Sequence, residues 1–179
     1  MSLLVLSCQG QFIYSQLGEF KKFDTNDQPL TLSMNMGQDF TSTKQFGIWG
    51  WFKPDFRFPM ITNVLTLRNH ADKNEDLLFV NYDLKPSTTN AQGQQVQSAQ
   101  LSFIFKNGPE NWEIKAFDNI PASNAWIFFA FSADYQKGTV SMYFKSHDGI
   151  TEPMKTSATV QFPGFSLNKG AQLVLADVV

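Results

Sequence analysis

The chain has 179 residues, 42% of them hydrophobic and 18 of them Phe, against only 17% charged. A chain of this length buries roughly 70% of the surface it would expose unfolded, so no disulfide framework is needed to hold a core. A formal net charge of -2 lacks the basic footprint that nucleic acid or an anionic membrane surface would require, which argues against both as partners.

The N-terminus "MSLLVLSCQGQF" has two readings. Leu3 to Leu6 is an apolar run ending in the small residues Ser7 and Cys8, as a secretory signal does, but Met1 and Ser2 supply no basic region and the run is too short. A first strand is the better expectation. Val5 to Cys8 also loosely resembles the lipobox of bacterial lipoproteins, where the Cys is acylated, without the apolar region that accompanies it. Cys8 is the only cysteine, so it makes no internal disulfide and no cysteine-based zinc site, and it reads as a small buried apolar residue. No Asn is followed by x-Ser or x-Thr, so the standard N-glycosylation acceptor is missing. Lys, Asp and Asn interrupt every apolar run before the length of a transmembrane helix.

Strand-like runs are expected at 30–34, 46–53, 60–67, 77–82, 101–106, 112–117, 126–132, 139–145, 159–162 and 173–175. The intervening turns have suitable chemistry: Asn107-Gly108-Pro109, Gly138 after "DYQK", Asp148-Gly149 and Gly170. No segment shows a sustained helical period. The segment 85–100, "KPSTTNAQGQQVQSAQ", is polar with only Val96 as a bulky apolar residue, and reads as a long loop or the edge of a hairpin. In "WIFFAFSADYQKGTVSMYF", Val140, Met142 and Phe144 share one face, while Thr139, Ser141, Tyr143 and Lys145 share the other. The preceding run is apolar on both faces, with Trp126, Phe128 and Ala130 opposite Ile127, Phe129 and Phe131. Such a strand is expected in the middle of a sheet covered on both sides. Without helices, the covering layer implies a second sheet, so the fold expected is an all-β, two-sheet antiparallel sandwich over 1–179 as a single domain.

Two segments carry a recognisable pattern. "FGIWGWFKPDF", from Phe46 to Phe56, resembles the "F-x-I-x-x-W-F/V-K-P" strand of laminin G-like and concanavalin A-like domains, through Trp51, Lys53 and Pro54. "NAWIFFAFSADYQKGTVSMYFK" is similar to that superfamily's hairpin through Trp126, Phe131, Gly138, Val140 and Tyr143, and "FSLNKGAQLVLADVV" resembles a later strand. Lys145-Ser146 and Asp177 depart from the pattern, which often has Asn-Gly and Gly there. The resemblance implies a jelly-roll sandwich, an extracellular or cell-surface setting, and a place within a longer polypeptide, since the pattern normally continues with one more strand. It also places Trp51 in the interior.

Chemistry is sparse. The β-glucanases of the resembled superfamily use Glu-x-Asp-x-x-Glu along one strand, but the nearest segment here, "WEIKAFD", has Lys115 two residues after Glu113. No G-x-S-x-G elbow occurs, and His70 and His147 sit in polar turn-like sequence, so no enzyme is expected. Calcium is the one cofactor to weigh: Asp72, Asn74 and Asp76 alternate as in the start of an EF-hand loop, but Leu77 stands where that loop requires Gly. For contacts with a ligand or partner, Phe56, Arg57 and Phe58 lie in a loop-like run between Pro54 and Pro59, and Trp112 is a further aromatic candidate. The function expected is a non-catalytic interaction or structural module engaging other protein subunits, with a glycan-binding lectin, calcium-assisted or aromatic, as the alternative.

Overall fold

A computed structural model describes residues 2–8, 11–17, 30–33, 40–54, 62–69, 75–108, 110–122, 124–162, 165–167 and 170–177. The described residues contain no helix, and their strands pair antiparallel throughout. In chain order the strands are β1 (Ser2–Cys8), β2 (Gln11–Leu17), β3 (Leu30–Ser33), β4 (Phe40–Thr43), β5 (Gln45–Phe52), β6 (Thr62–Asn69), β7 (Glu75–Leu84) and β8 (Thr88–Thr89). They continue with β9 (Gln95–Val96), β10 (Ser98–Lys106), β11 (Trp112–Pro121), β12 (Ile127–Asp134), β13 (Thr139–Ser146), β14 (Met154–Thr159), β15 (Phe165–Leu167) and β16 (Gln172–Asp177).

Two six-stranded sheets dominate. The first runs β14-β13-β12-β5-β1-β2 and the second β11-β10-β7-β6-β16-β3. Alternation decides which side chains enter the core. Phe46 and Ile48 from β5, Ile127, Phe129 and Phe131 from β12, and Val140, Met142 and Phe144 from β13 are buried, as are Leu101, Phe103 and Phe105 from β10. Rings from one sheet pack on rings from the other: Phe131 lies 6.1 Å from Phe103 and 5.3 Å from Phe105, Phe117 lies 6.0 Å from Phe144, and Phe52 lies 5.4 Å from Tyr82. Apolar burial of this kind is the main stabilising term.

The hairpin β12–β13 forms where its sequence predicts. Its turn closes because the Lys137 N–H donates to Asp134 Oδ1 at 3.0 Å, and because Gly138 adopts φ 66, a left-handed conformation that suits glycine. β12 lies inside its sheet, between β13 and β5. Among the described residues no further layer covers its second apolar face, however: Phe128 and Ala130 are only half-buried and Ser132 is exposed. The polar segment 85–100 becomes a small hairpin, β8 with β9, around a turn in which Asn90 Oδ1 accepts the N–H groups of Gln92 and Gln94. The run at 159–162 is not a strand beyond Thr159. Val160 instead turns inward, 2% exposed, with its N–H donating to the Gly138 carbonyl at 2.9 Å, and Phe162 packs on Tyr135. The neighbouring strand is β14, whose exposed Lys155, Ser157 and Thr159 suit a sheet edge.

Candidate functional site

Strand β11 ends the second sheet, paired with β10 on one side and with no strand on the other among the described residues. The β10–β11 turn is closed by the Asn107 N–H donating to the Asn111 carbonyl at 2.9 Å, while Asn107 Nδ2 donates to Glu113 Oε2 at 2.6 Å. This turn sets the register Lys106↔Trp112, Ile104↔Ile114 and Ser102↔Ala116. Phe103 and Phe105 face the core, so these three pairs lie on the outer face.

That face carries an apolar row. Ile114 stands opposite Ile104, Ile104 opposite Phe79, Phe79 opposite Thr66, and Thr66 opposite Val174. Thr66 and Val174 are buried, Phe79 and Ile104 are half-buried, and Ile114 at the edge is 62% exposed. Beside it Trp112 is 41% exposed, its ring 5.3 Å from that of Phe79. Lys106 Nζ stands 5.5 Å from the centroid of the Trp112 ring, within cation–π range, and also pairs with Glu75 Oε1 at 2.7 Å. Trp112 is thus fixed in place by neighbours on two strands while presenting an open flank.

The outer face of the first sheet carries a second aromatic group. The Trp51 ring lies 5.2 Å from Phe128 and 5.7 Å from His147, and Phe128 lies 5.9 Å from Tyr143. This corrects the expected interior position of Trp51, which is 36% exposed. In β5, Phe46 and Ile48 take the core side, and a pleated strand then directs Trp49 and Trp51 outward. The exposed His147 in its turn meets expectation, with its ring against Trp51 as an added contact. Nearby, burial pushes the Asp148 carboxyl up, but hydrogen bonds from the Thr151 hydroxyl and the N–H groups of Thr151 and Ile150 outweigh it. They hold the carboxyl at about 2.

Of the residues selected from sequence, Trp112 joins the edge just described. Phe56, Arg57, Phe58, Asp72 and Asn74 lie outside the described residues. Asp76 is engaged by Arg68, whose Nε donates to Oδ1 at 2.5 Å and whose Nη2 donates to Oδ2 at 3.4 Å, while the adjacent Glu75 turns to Lys106. Among the described residues no three His, Cys, Asp or Glu side chains gather as a metal site. No helix of the described residues is long and apolar enough to cross a membrane. Ile114, Ile104 and Phe79 were not singled out from sequence, although the alternation Trp112, Ile114, Ala116 marks one face of β11. Compared with known proteins, the chain matches no family model and no curated protein.

Proposed function

We propose that this chain is a jelly-roll sandwich of the laminin G-like, concanavalin A-like kind. In this proposal it acts as a non-catalytic extracellular module whose partners are other protein subunits of an assembly. The observation that carries the assembly role is the exposure of Ile114 and Trp112, at 62% and 41%, on a strand that ends its sheet. Side chains of this size beside an edge that no other described strand pairs invite another protein chain. The kinship is supported by the segments that carry the resemblance: β5 and the β12–β13 hairpin are neighbours in one sheet. A non-catalytic role is supported by Glu113, which pairs with Lys115 at 3.1 Å where a glycosidase would need a second carboxylate. The test is the mass of the native particle by light scattering, compared with that of Ile114→Lys. A particle of many chains that shrinks in the variant is expected; a particle of one chain's mass would overturn the reading.

A lectin role is the second reading, favoured by the Trp51, Phe128 and Tyr143 rings on the outer face of the first sheet. Aromatic rings of this kind can stack on sugars. A glycan array read with and without calcium tests it, and Trp51→Ala should abolish any signal.

A further inference from the structure

Building on the assembly reading, we infer that the partner of β11 is β11 of a second copy of this chain, antiparallel and centred on Ile114. The strand is self-complementary about that residue. Reversing it maps Ile114 onto itself, Glu113 onto Lys115, and Trp112 onto Ala116. In a two-fold pair each contact off the axis occurs twice, so Glu113 of each copy stands opposite Lys115 of the other, and cross-strand pairs of opposite charge favour that register. On the outer face the apolar row Phe79, Ile104, Ile114 continues into Ile114, Ile104 and Phe79 of the second copy, through the registers within each chain. Each Trp112 then lies beside Ala116 of the other copy, where a small side chain leaves room for its open flank.

The charges on the other face of β11 decide which strand is admitted. Glu113 and Lys115 stand opposite the core residues Phe105 and Phe103, at the rim between the sheets, and their side chains are 23% and 38% exposed. A charge on that side of an edge strand deters pairing, because an added strand would cover it. Within one copy Glu113 and Lys115 already pair at 3.1 Å, so a foreign strand would cover that pair and add nothing to it, whereas the reversed copy sets a second opposite charge against each. The same two residues that disfavour other edges therefore favour this one. The regular part of β11 is long enough: six residues, Trp112 to Phe117, pair in unbroken register with β10 before a register shift opposite Ala99 and Leu101. Asn119, with φ 56, lies in that irregularity and ends the usable edge.

The test is charge exchange, read by sedimentation equilibrium of the purified chain. Wild type is expected to show a concentration-dependent monomer–dimer equilibrium. Lys115→Glu and Glu113→Lys should each weaken it by roughly 30-fold, because two attractive pairs become repulsive. An equimolar mixture of the two variants should dimerise again, since one then carries two carboxylates and the other two ammonium groups. The double variant Glu113→Lys, Lys115→Glu should also regain the dimer. Circular dichroism of each variant alone confirms that the fold survives. A purified wild type that stays monomeric at its highest soluble concentration overturns the inference. The assembly reading still stands in that case if Ile114→Lys shrinks the native particle. A dimer indifferent to both charge variants also overturns the inference, because its contact lies elsewhere.

Discussion

Replacing Phe131 and Phe128 by Ala, one at a time, compares the two faces of a single strand. Phe131 is 2% exposed, with ring neighbours Phe46, Phe103 and Phe105 at 6.3, 6.1 and 5.3 Å, two of them on the opposite sheet. Truncating it removes a fully buried ring and leaves a cavity that the surrounding rings fill only in part, a loss of about 4 kcal/mol. Phe128 touches Trp51 and Tyr143 on the outer face and is half-buried, so its truncation forfeits partial burial and two ring contacts, about 1.5 kcal/mol. Urea unfolding of both variants, with the slope of the transition held in common, gives the two losses on one scale. Equal losses would refute the reasoning, because Phe128 would then be buried beneath another layer and the outer face of the first sheet would not be a surface.

Gly138→Ala should cost about 2 kcal/mol in the same assay, since a Cβ there would lie 2.9 Å from the Val160 carbonyl oxygen and φ is 66; a loss below about 0.5 kcal/mol would mean that the β12–β13 turn relaxes freely. Asp148→Ala should lower stability by about 1 kcal/mol at neutral pH, after allowance for solvent screening of a loop carboxylate. The Asp148 carboxyl is depressed from 3.8 to about 2, so its contribution is fully present above the unfolded value and fades as pH falls through the folded one. Denaturation midpoints of wild type and variant should therefore converge in acid, and a gap that stays constant down to about pH 2 would sink the assignment.

Much of this fold was legible because alternation is a local property. In β13 the apolar and polar positions separate cleanly, and the burial pattern of Val140, Met142 and Phe144 against Thr139, Ser141 and Lys145 follows the sequence. β5 was not legible in the same way, because both of its faces carry large apolar residues: Phe46 and Ile48 on one, Trp49 and Trp51 on the other. Its pairing with β12, which sets Ala130 beside Trp49 and Phe128 beside Trp51, decides which set faces the core, and that partner lies far along the chain. β14, "MKTSAT", was missed because a strand at a sheet edge has little apolar signal to show. Trp112 was visible as an aromatic candidate, but its partner Ile114 was not. A strand in the middle of a sheet and one at its edge can share the sequence "WEIKAF", and only long-range strand order distinguishes them.

The aromatic group on the first sheet and the apolar edge of the second differ in how far their own chain satisfies them. On the first sheet, Trp51 sits against Phe128 and His147, and Phe128 also meets Tyr143, so these rings already bury flanks against one another. Their sheet neighbours pair the backbone beneath them: β5 lies between β12 and β1, and β12 between β13 and β5. A ligand arriving there meets ring faces and the polar groups of Tyr143 and His147, but no strand edge. At β11, Ile114 is the more exposed side chain, and the strand beneath it also has one side without a partner strand among the described residues. A partner chain there gains apolar burial and a ladder of backbone hydrogen bonds together, which a sugar cannot supply. Of the two, the edge of the second sheet therefore offers an associating protein chain more than the ring group does, in keeping with the assembly role proposed above.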